Sequence, residues 1–371
     1  MAVEPISPSN SNAPHLGPFE DDGRSDRDRF GSSELAIVLS HYDVGVIRRI
    51  RAYPRGSRRS PKLRVSTDDG EYLLKRRAPG KDETRRVAFA HELQQYLEQR
   101  DFPVAGLIPT RSNKQTMLLL HGRTYELFRF VTGHRDDRSL GAAEQAGRAL
   151  GDLHRLLNGY EVGYRAPTGS YHASPTVEGA MRQTPTMIAA AGPADPIGEL
   201  EQRCAFLREA YLDASRRAEE IGVSRWDRAV IHGDWHPGNL LYREGAVVAV
   251  LDFDSARAEH RVIDIANAAL QFSMRMDDAN DLSTWSSKLD VERIRALLRG
   301  YDRAAGSAMS HEERLTLPWL MIEALVLESI LPIAATGSFG SLSGSAFLRA
   351  IERKVKWLRP RAAKLVEYLE S

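Results

Sequence analysis

Val230-Ile231-His232-Gly233-Asp234-Trp235-His236-Pro237-Gly238-Asn239-Leu240-Leu241-Tyr242 is the stretch where reactive side chains crowd most densely. Apolar residues lead into it and Leu240 to Tyr242 lead out, so it reads as strand, loop and strand. The loop carries a carboxylate, Asp234, and five residues later an amide, Asn239. Glu244-Gly245 then turns the chain, and a second strand over 246–251 ends at Asp252-Phe253-Asp254. Such a hairpin returns Asp252 to the side of Asn239. A carboxylate oxygen beside an amide oxygen is donor chemistry that Mg2+ prefers, because the ion keeps several waters and takes further oxygens from phosphates.

Outward from this loop, the pattern changes once along the chain. Residues 1–33 mix Pro, Ser, Asn, Asp and Gly with few aliphatic side chains and are expected to be a disordered tail. A short helix over 34–41 is followed by β-branched or aromatic runs at 44–53, 62–67 and 71–76, punctuated by Pro54-Arg55-Gly56-Ser57 and Asp68-Asp69-Gly70. Val87, Phe89, Ala90, Leu93, Tyr96 and Leu97 form a helical stripe over 82–99, and strands at 116–120 and 124–131 follow. Beyond Thr132-Gly133 long helical patterns dominate, at 140–157, 197–221, 264–276, 291–304, 312–335 and 346–369. At 371 residues two cores are expected. The sequence divides into a small sheet-rich domain over 34–131 and a large helical one over 132–371, without internal repeats.

Composition excludes several classes. Apolar residues are 42% and charged residues 27%, enough to build large cores, and the formal net charge of +1 offers no bulk attraction to nucleic acid or to a membrane. No apolar run is expected to approach the roughly 20 residues that span a bilayer, and Glu4, Asp21 and Asp22 do not suit a targeting segment, so a cytoplasmic location is expected. Cys204 is the single cysteine, which rules out an internal disulfide and a thiolate metal cluster. Its neighbours Ala205 and Phe206 place it in a helical core.

His232-Gly233-Asp234, Asn239, Asp252 in Leu-Asp-Phe-Asp, and Asp264-Ile265-Ala266 together resemble the aminoglycoside phosphotransferase and choline kinase superfamily, which includes type II homoserine kinases. The resemblance extends over about 34–275. It implies an α+β, two-lobed protein-kinase-like fold, with a small antiparallel-sheet lobe, a large mainly helical lobe, and ATP bound in the cleft. It also implies that Asp234 accepts the acceptor's hydroxyl proton, Asn239 and Asp252 hold Mg2+, and His232 and Asp264 brace the loop. Upstream, Lys75 in Tyr72-Leu73-Leu74-Lys75-Arg76 is similar to the phosphate-binding lysine, and Glu92 in His91-Glu92-Leu93 to its carboxylate partner. Gly56 would let backbone amides approach the phosphates, and Phe130 and Val131 would line the strand whose backbone holds adenine. Leu153-His154-Arg155 resembles the helix preceding the catalytic loop.

The expected reaction is transfer of the γ-phosphoryl group of ATP to a hydroxyl of a small molecule. The acceptor pocket falls to 160–225 and 276–345, where Asp277, Asp278 and Asp281 suit a cationic amine or simply a solvated loop. The residues leave open homoserine-like amino alcohols, aminoglycosides, choline and sugars, and they set no oligomeric state. A Ser/Thr protein kinase of the same fold is the nearest rival, although Asp254 stands where such enzymes carry a glycine. A nucleotide-binding pseudokinase sits ill with the presence of Asp234, Asn239 and Asp252. A metallohydrolase built on His232, Asp234 and His236 lacks further closely spaced ligands. For Lys75 the competing reading is a solvated strand edge with Arg76 and Arg77. Residues 337–345 read as a flexible Gly/Ser connector.

Overall fold

The computed structural model of the chain describes residues 28–54, 59–161, 163–276, 278 and 281–370. It divides into two compact units, residues 1–84 with 106–130, and residues 85–105 with 131–371.

In the small unit, helix α1 (Ser32–Ser40) precedes strands β1 (Ile47–Ala52), β2 (Lys62–Thr67) and β3 (Glu71–Arg76), and strands β4 (Leu118–Leu120) and β5 (Arg123–Arg129) complete one antiparallel sheet in the order β1-β2-β3-β5-β4. Strand alternation decides the faces. Leu63 and Val65 of β2, Tyr72 and Leu74 of β3, and Tyr125 and Leu127 of β5 join Leu35, Val38 and Leu39 of α1 in a single core. Phe30 belongs to that core, and the Gly31 amide donates to Glu34 Oε2 at 3.1 Å. Phe30 and Gly31, expected to lie in a disordered tail, are therefore packed, because an aromatic ring and a helix cap tie them down. Residues 1–27 lie outside the described residues.

The large unit starts with helix α2 (Thr84–Glu98), apart from its first residue, and continues through α3 (Leu140–Leu157), α4 (Thr176–Ala191), α5 (Ile197–Ile221), β6 (Ala229–Ile231), β7 (Leu240–Arg243), β8 (Ala246–Val250), β9 (Arg257–Glu259), α6 (Arg261–Ser273), α7 (Val291–Ala304), α8 (His311–Thr336), β10 (Ser338–Phe339), β11 (Leu342–Ser343), α9 (Gly344–Leu358) and α10 (Ala362–Glu370). Helix α2 was expected within the sheet-rich domain. Its apolar stripe, Phe89, Ala90, Leu93 and Leu97, instead shares the core of the helical unit. Helices α3 and α7 pack backbone to backbone, since a Cβ on Gly147 would overlap the Leu297 carbonyl and one on Gly300 the Glu144 carbonyl.

Other departures from expectation have local causes. Helix α4 escapes a periodicity reading because Gly179 and Pro185, both poor helix formers, interrupt it. The expected last helix is two, α9 and α10, divided by a 3-10 turn at Arg359–Arg361 that contains Pro360. The supposed Gly/Ser connector holds the β10–β11 hairpin and the first turn of α9. By length and composition α8 is apolar enough to cross a bilayer, with mean hydropathy 1.7, a property the sequence reading did not assign to any segment. Of its most apolar window 78% is buried inside the protein, as befits a central core helix. Cys204 is buried as expected.

Candidate active site

The short antiparallel pair β6 and β9, with Ile231 opposite Arg257, delivers the chain into the loop that follows. Gly233 takes φ +77°, and a Cβ there would overlap the Ser255 carbonyl and the Arg257 guanidinium, so only glycine fits. Asp264, buried near the start of α6, grips this bend. Its Oδ2 accepts the His232 N–H and its Oδ1 the Gly233 N–H, both at 2.8 Å. His154 Nε2 of α3 lies 3.3 Å from the same Oδ2, while His154 Nδ1 meets the Tyr301 hydroxyl of α7 at 3.0 Å. Burial alone would raise the Asp264 pKa, but the hydrogen bond and charge of His154, the nearby His232 and the Gly233 amide bring it below the usual carboxylate value.

His232 is fully buried between Trp235 and Phe253, with ring centroids 5.3 and 4.8 Å away. Burial pulls its pKa down despite the carboxylates of Asp264, Asp234 and Asp252. The neutral ring then has one arrangement that satisfies both nitrogens. Nε2–H donates to the Leu251 carbonyl at 3.1 Å, and Nδ1 accepts the Asp234 N–H at 3.3 Å. His232 therefore couples the loop to the end of β8. With both nitrogens engaged, and His236 Nδ1 accepting the Gly238 N–H at 3.0 Å, the metallohydrolase reading loses its imidazole ligands. Among the described residues no group of three or more His, Cys, Asp and Glu side chains forms such a centre.

The structure brings Asp234, Asn239 and the backbone beside Asp252 together. Asn239 donates from Nδ2 to the Asp234 carbonyl at 3.0 Å and to Asp234 Oδ2 at 3.1 Å. Its own backbone carbonyl accepts the Leu251 N–H at 2.8 Å, which fixes Asp252 one residue further on. Asp252 sits at φ 63° and ψ 70°, left-handed backbone that non-glycine residues seldom adopt and that concentrates at functional positions. His236 Nε2 lies 3.6 Å from Asp234 Oδ2. For Asp234, burial would raise the pKa, but the hydrogen bond and charge of His236, then His232 and Asn239, leave it lowered. For His236, burial would lower the pKa, and the bonded Asp234 raises it instead.

In the small unit, Lys75 stands opposite Glu126 in the β3–β5 register, with Nζ 3.5 Å from Glu126 Oε2. The Lys75 side chain is 13% exposed, and β3 is an inner strand, so the reading of a solvated edge fails. Arg76 and Arg77 are buried too, bonded to Glu34 and Glu126. Glu92, expected to hold Lys75, has other partners in the large unit. Its carboxylate accepts the Gly163 N–H at 2.9 Å and the Tyr164 N–H at 3.3 Å. Helix phase explains this, since Glu92 lies off the stripe formed by Val87, Ala90, Gln94 and Leu97. The Phe130 N–H donates to the Glu71 carbonyl at 2.8 Å, and its ring stacks edge-on with Tyr53. Val131 begins the second part of the large unit. Gly56 lies outside the described residues, as does Asp277, whereas the Asp281 carboxylate closes a local turn by accepting from Ser283.

Two groups carry no sequence signal. Half-buried Glu328 of α8 feels the charges of Asp234, Arg257 and His236, and burial first and Asp234 second push its pKa up to about 7. Gln271 Nε2 is 3.5 Å from its Oε2. His172 lies between Glu323, 2.8 Å away, and Glu219, 2.9 Å away, partners separated by 151 and 47 residues along the chain. Only tertiary packing assembles either set.

The chain is similar to several known proteins. The chain is 23% identical over 295 residues to the homoserine kinase of Phenylobacterium zucineum strain HLK1, covering 77% of this chain and 80% of that protein. It is 28% identical over 193 residues to the serine/threonine protein kinase RdoA of Salmonella typhimurium strain LT2, covering 51% and 53%. Among solved structures, amicoumacin kinase hAmiN in complex with AMP-PNP, Ca2+ and Ami is similar with a TM-score of 0.64 at 12% identity, over 88% of this chain and 93% of that one. The fold is thus the expected α+β, protein-kinase-like one, with a small antiparallel-sheet unit and a mainly helical unit. The model of the phosphotransferase enzyme family matches residues 50–310, well over half of the chain, and the chain belongs to that family.

Proposed function

We propose that this phosphotransferase moves the γ-phosphoryl group of ATP to a hydroxyl of a small molecule, with Mg2+. The observation that carries the reading is the lock between Asp234 and Asn239, 3.1 Å apart, with Asp252 held next to Asn239 by the Leu251 N–H. Asn239 turns its amide N–H groups toward Asp234, which leaves its side-chain oxygen as the hard donor, and Asp252 supplies a carboxylate. That donor set fits Mg2+, which takes one or two protein oxygens and fills its shell from phosphates and water. Bound there, the ion would neutralise charge developing on the phosphates.

Asp234, ionised at neutral pH because its pKa is lowered, orients the acceptor hydroxyl and receives its proton. His236 balances the charge of Asp234 from 3.6 Å, and neutral His232 holds the loop to β8. Lys75 meets the α and β phosphates, and Phe130 and Val131 contribute backbone to the adenine, as the resemblance implies. Phosphoryl transfer leaves little covalent work to the protein, so alignment and charge balance are the task these residues share.

Amino alcohols are the favoured acceptors. Glu328 is a half-buried carboxylate within electrostatic reach of Asp234, and an ammonium is the natural counter-charge for it. The relative named as a homoserine kinase agrees with this class. A panel of amino alcohols, aminoglycosides, choline and neutral sugars, incubated with labelled ATP and Mg2+ and read by product mass, tests both claims. A phosphorylated amino alcohol is expected, and Glu328→Gln should raise KM for it without changing KM for ATP. The RdoA match supports a second reading as a protein kinase. A labelled protein extract together with an inert panel would favour that reading.

A further inference from the structure

We infer that Glu126 is the positioning residue for Lys75, holding its ammonium from the adjacent strand in the role expected of a helix-borne glutamate. The inference rests on the reading that Lys75 meets the phosphates of the nucleotide.

Strand register makes the pair. Lys75 and Glu126 are directly opposed in the antiparallel β3–β5 ladder, so their side chains leave the same face of the sheet as cross-strand neighbours. Leu74 and Leu127, the next residues along each strand, point to the other face and fill the apolar core. Both carboxylate oxygens of Glu126 have assigned work. Oε1 accepts from Arg77 Nε at 2.8 Å and lies 2.7 Å from Arg77 Nη2. Oε2 faces the Lys75 ammonium at 3.5 Å. Arg77 is itself fixed, because its Nη1 donates to the Lys81 carbonyl at 2.9 Å and its backbone N–H to the Thr124 carbonyl at 2.9 Å. The carboxylate is thereby clamped in one orientation, with its second oxygen aimed at Lys75.

Charge and distance then give the cluster a direction. Glu126 has no exposed side-chain surface, and a buried carboxylate requires cations around it. Arg77 and Lys75 both bring a cationic nitrogen within 3.5 Å of it. A separation of 3.5 Å is longer than the roughly 2.7–2.9 Å of a tight charge-assisted bond, so Glu126 orients the ammonium by charge without gripping it closely. Glu92, by contrast, spends its carboxylate on the Gly163 and Tyr164 amides and serves as a loop tether.

The test uses the full-length chain with AMP-PNP and Mg2+ in calorimetry, and ATP turnover as ADP release. Lys75→Met is expected to weaken AMP-PNP about tenfold or more. Glu126→Gln should reproduce most of that loss, and Glu92→Gln should leave the affinity unchanged. Lys75→Met with Glu126→Gln should be no weaker than the worse single variant, because both disable one unit. If Glu126→Gln compromises folding, Glu126→Asp keeps the charge while withdrawing it by one methylene, and a raised KM for ATP with an unchanged Tm is the expected sign. Wild-type affinity in folded Glu126→Gln, or losses that add in the double variant, would overturn the inference. Wild-type affinity and turnover in Lys75→Met would instead remove the phosphate role of Lys75, and the inference with it.

Discussion

Asn239 gives its side-chain N–H to Asp234 Oδ2 at 3.1 Å, so the residue proposed to hold the metal also aims the residue proposed to receive the proton. Asp234→Asn replaces that acceptor oxygen by an amide of nearly the same shape. Turnover should fall by about 10² to 10⁴, while AMP-PNP affinity stays within a few fold of wild type. Parallel calorimetry and ADP release decide this, and loss of nucleotide binding would place Asp234 in a different role.

Asp264 satisfies two buried backbone donors at once. Asp264→Ala leaves both N–H groups and His154 without that acceptor, a loss on the order of 3 kcal/mol or more. The Asp264 pKa is lowered in the folded chain, so its contribution is fully present above the ordinary carboxylate value and disappears as pH falls through the folded one. The gap in Tm between wild type and variant should therefore be constant from pH 8 to pH 5 and narrow only below about pH 4. A gap that closes nearer neutrality would assign the stabilisation to some other group.

Glu328 has the opposite sign. Its pKa is raised from 4.5 to about 7, so stability is complete below 4.5 and is lost as pH rises through 7. Glu328→Gln should be more stable than wild type at pH 8, by up to about 3 kcal/mol, and melt correspondingly higher, with little difference at pH 4.5. Equal melting temperatures at both pH values would show that Glu328 ionises freely in the folded chain.

The α3–α7 contact yields a paired test. Gly147→Ala drives a methyl group into the Leu297 carbonyl and should cost about 1–3 kcal/mol, despite the better helix propensity of alanine. Gly179→Ala on α4 has no heavy atom within 4 Å of the added carbon and should be neutral or slightly stabilising. Thermal melts of the two variants check this, and a harmless Gly147→Ala would mean that the helices separate readily.

Periodic elements were the most legible part of the sequence. The expected spans of α3, α5, α7, β2 and β3 coincide with the observed ones, because long stripes and clean alternation leave one way to bury the apolar side chains. Helix α4, interrupted by Gly179 and Pro185, did not declare itself, and neither did the three-residue strand β9, whereas the strand expected ahead of the loop is β6. In the site, the spacing from His232 to Asn239 and on to Asp252 was readable because one hairpin carries it. Lys75 was picked out as a candidate from the sequence, but the residue opposite it was not. Glu92 lay at a plausible distance in sequence, whereas Glu126 depends on strand register, 51 residues later, and Glu328 on the packing of a distant helix.

His154 and Tyr301 ride on α3 and α7, the two helices whose glycines let the backbones touch, and both stand behind Asp264. That pair works like the keel of a hull, stiff along the line that carries the load. If the proposed function holds, helices such as α4, α5 and α8 could be reshaped for a new acceptor without disturbing the loop that this pair braces, so substrate choice and catalytic competence would be free to evolve on separate parts of the frame.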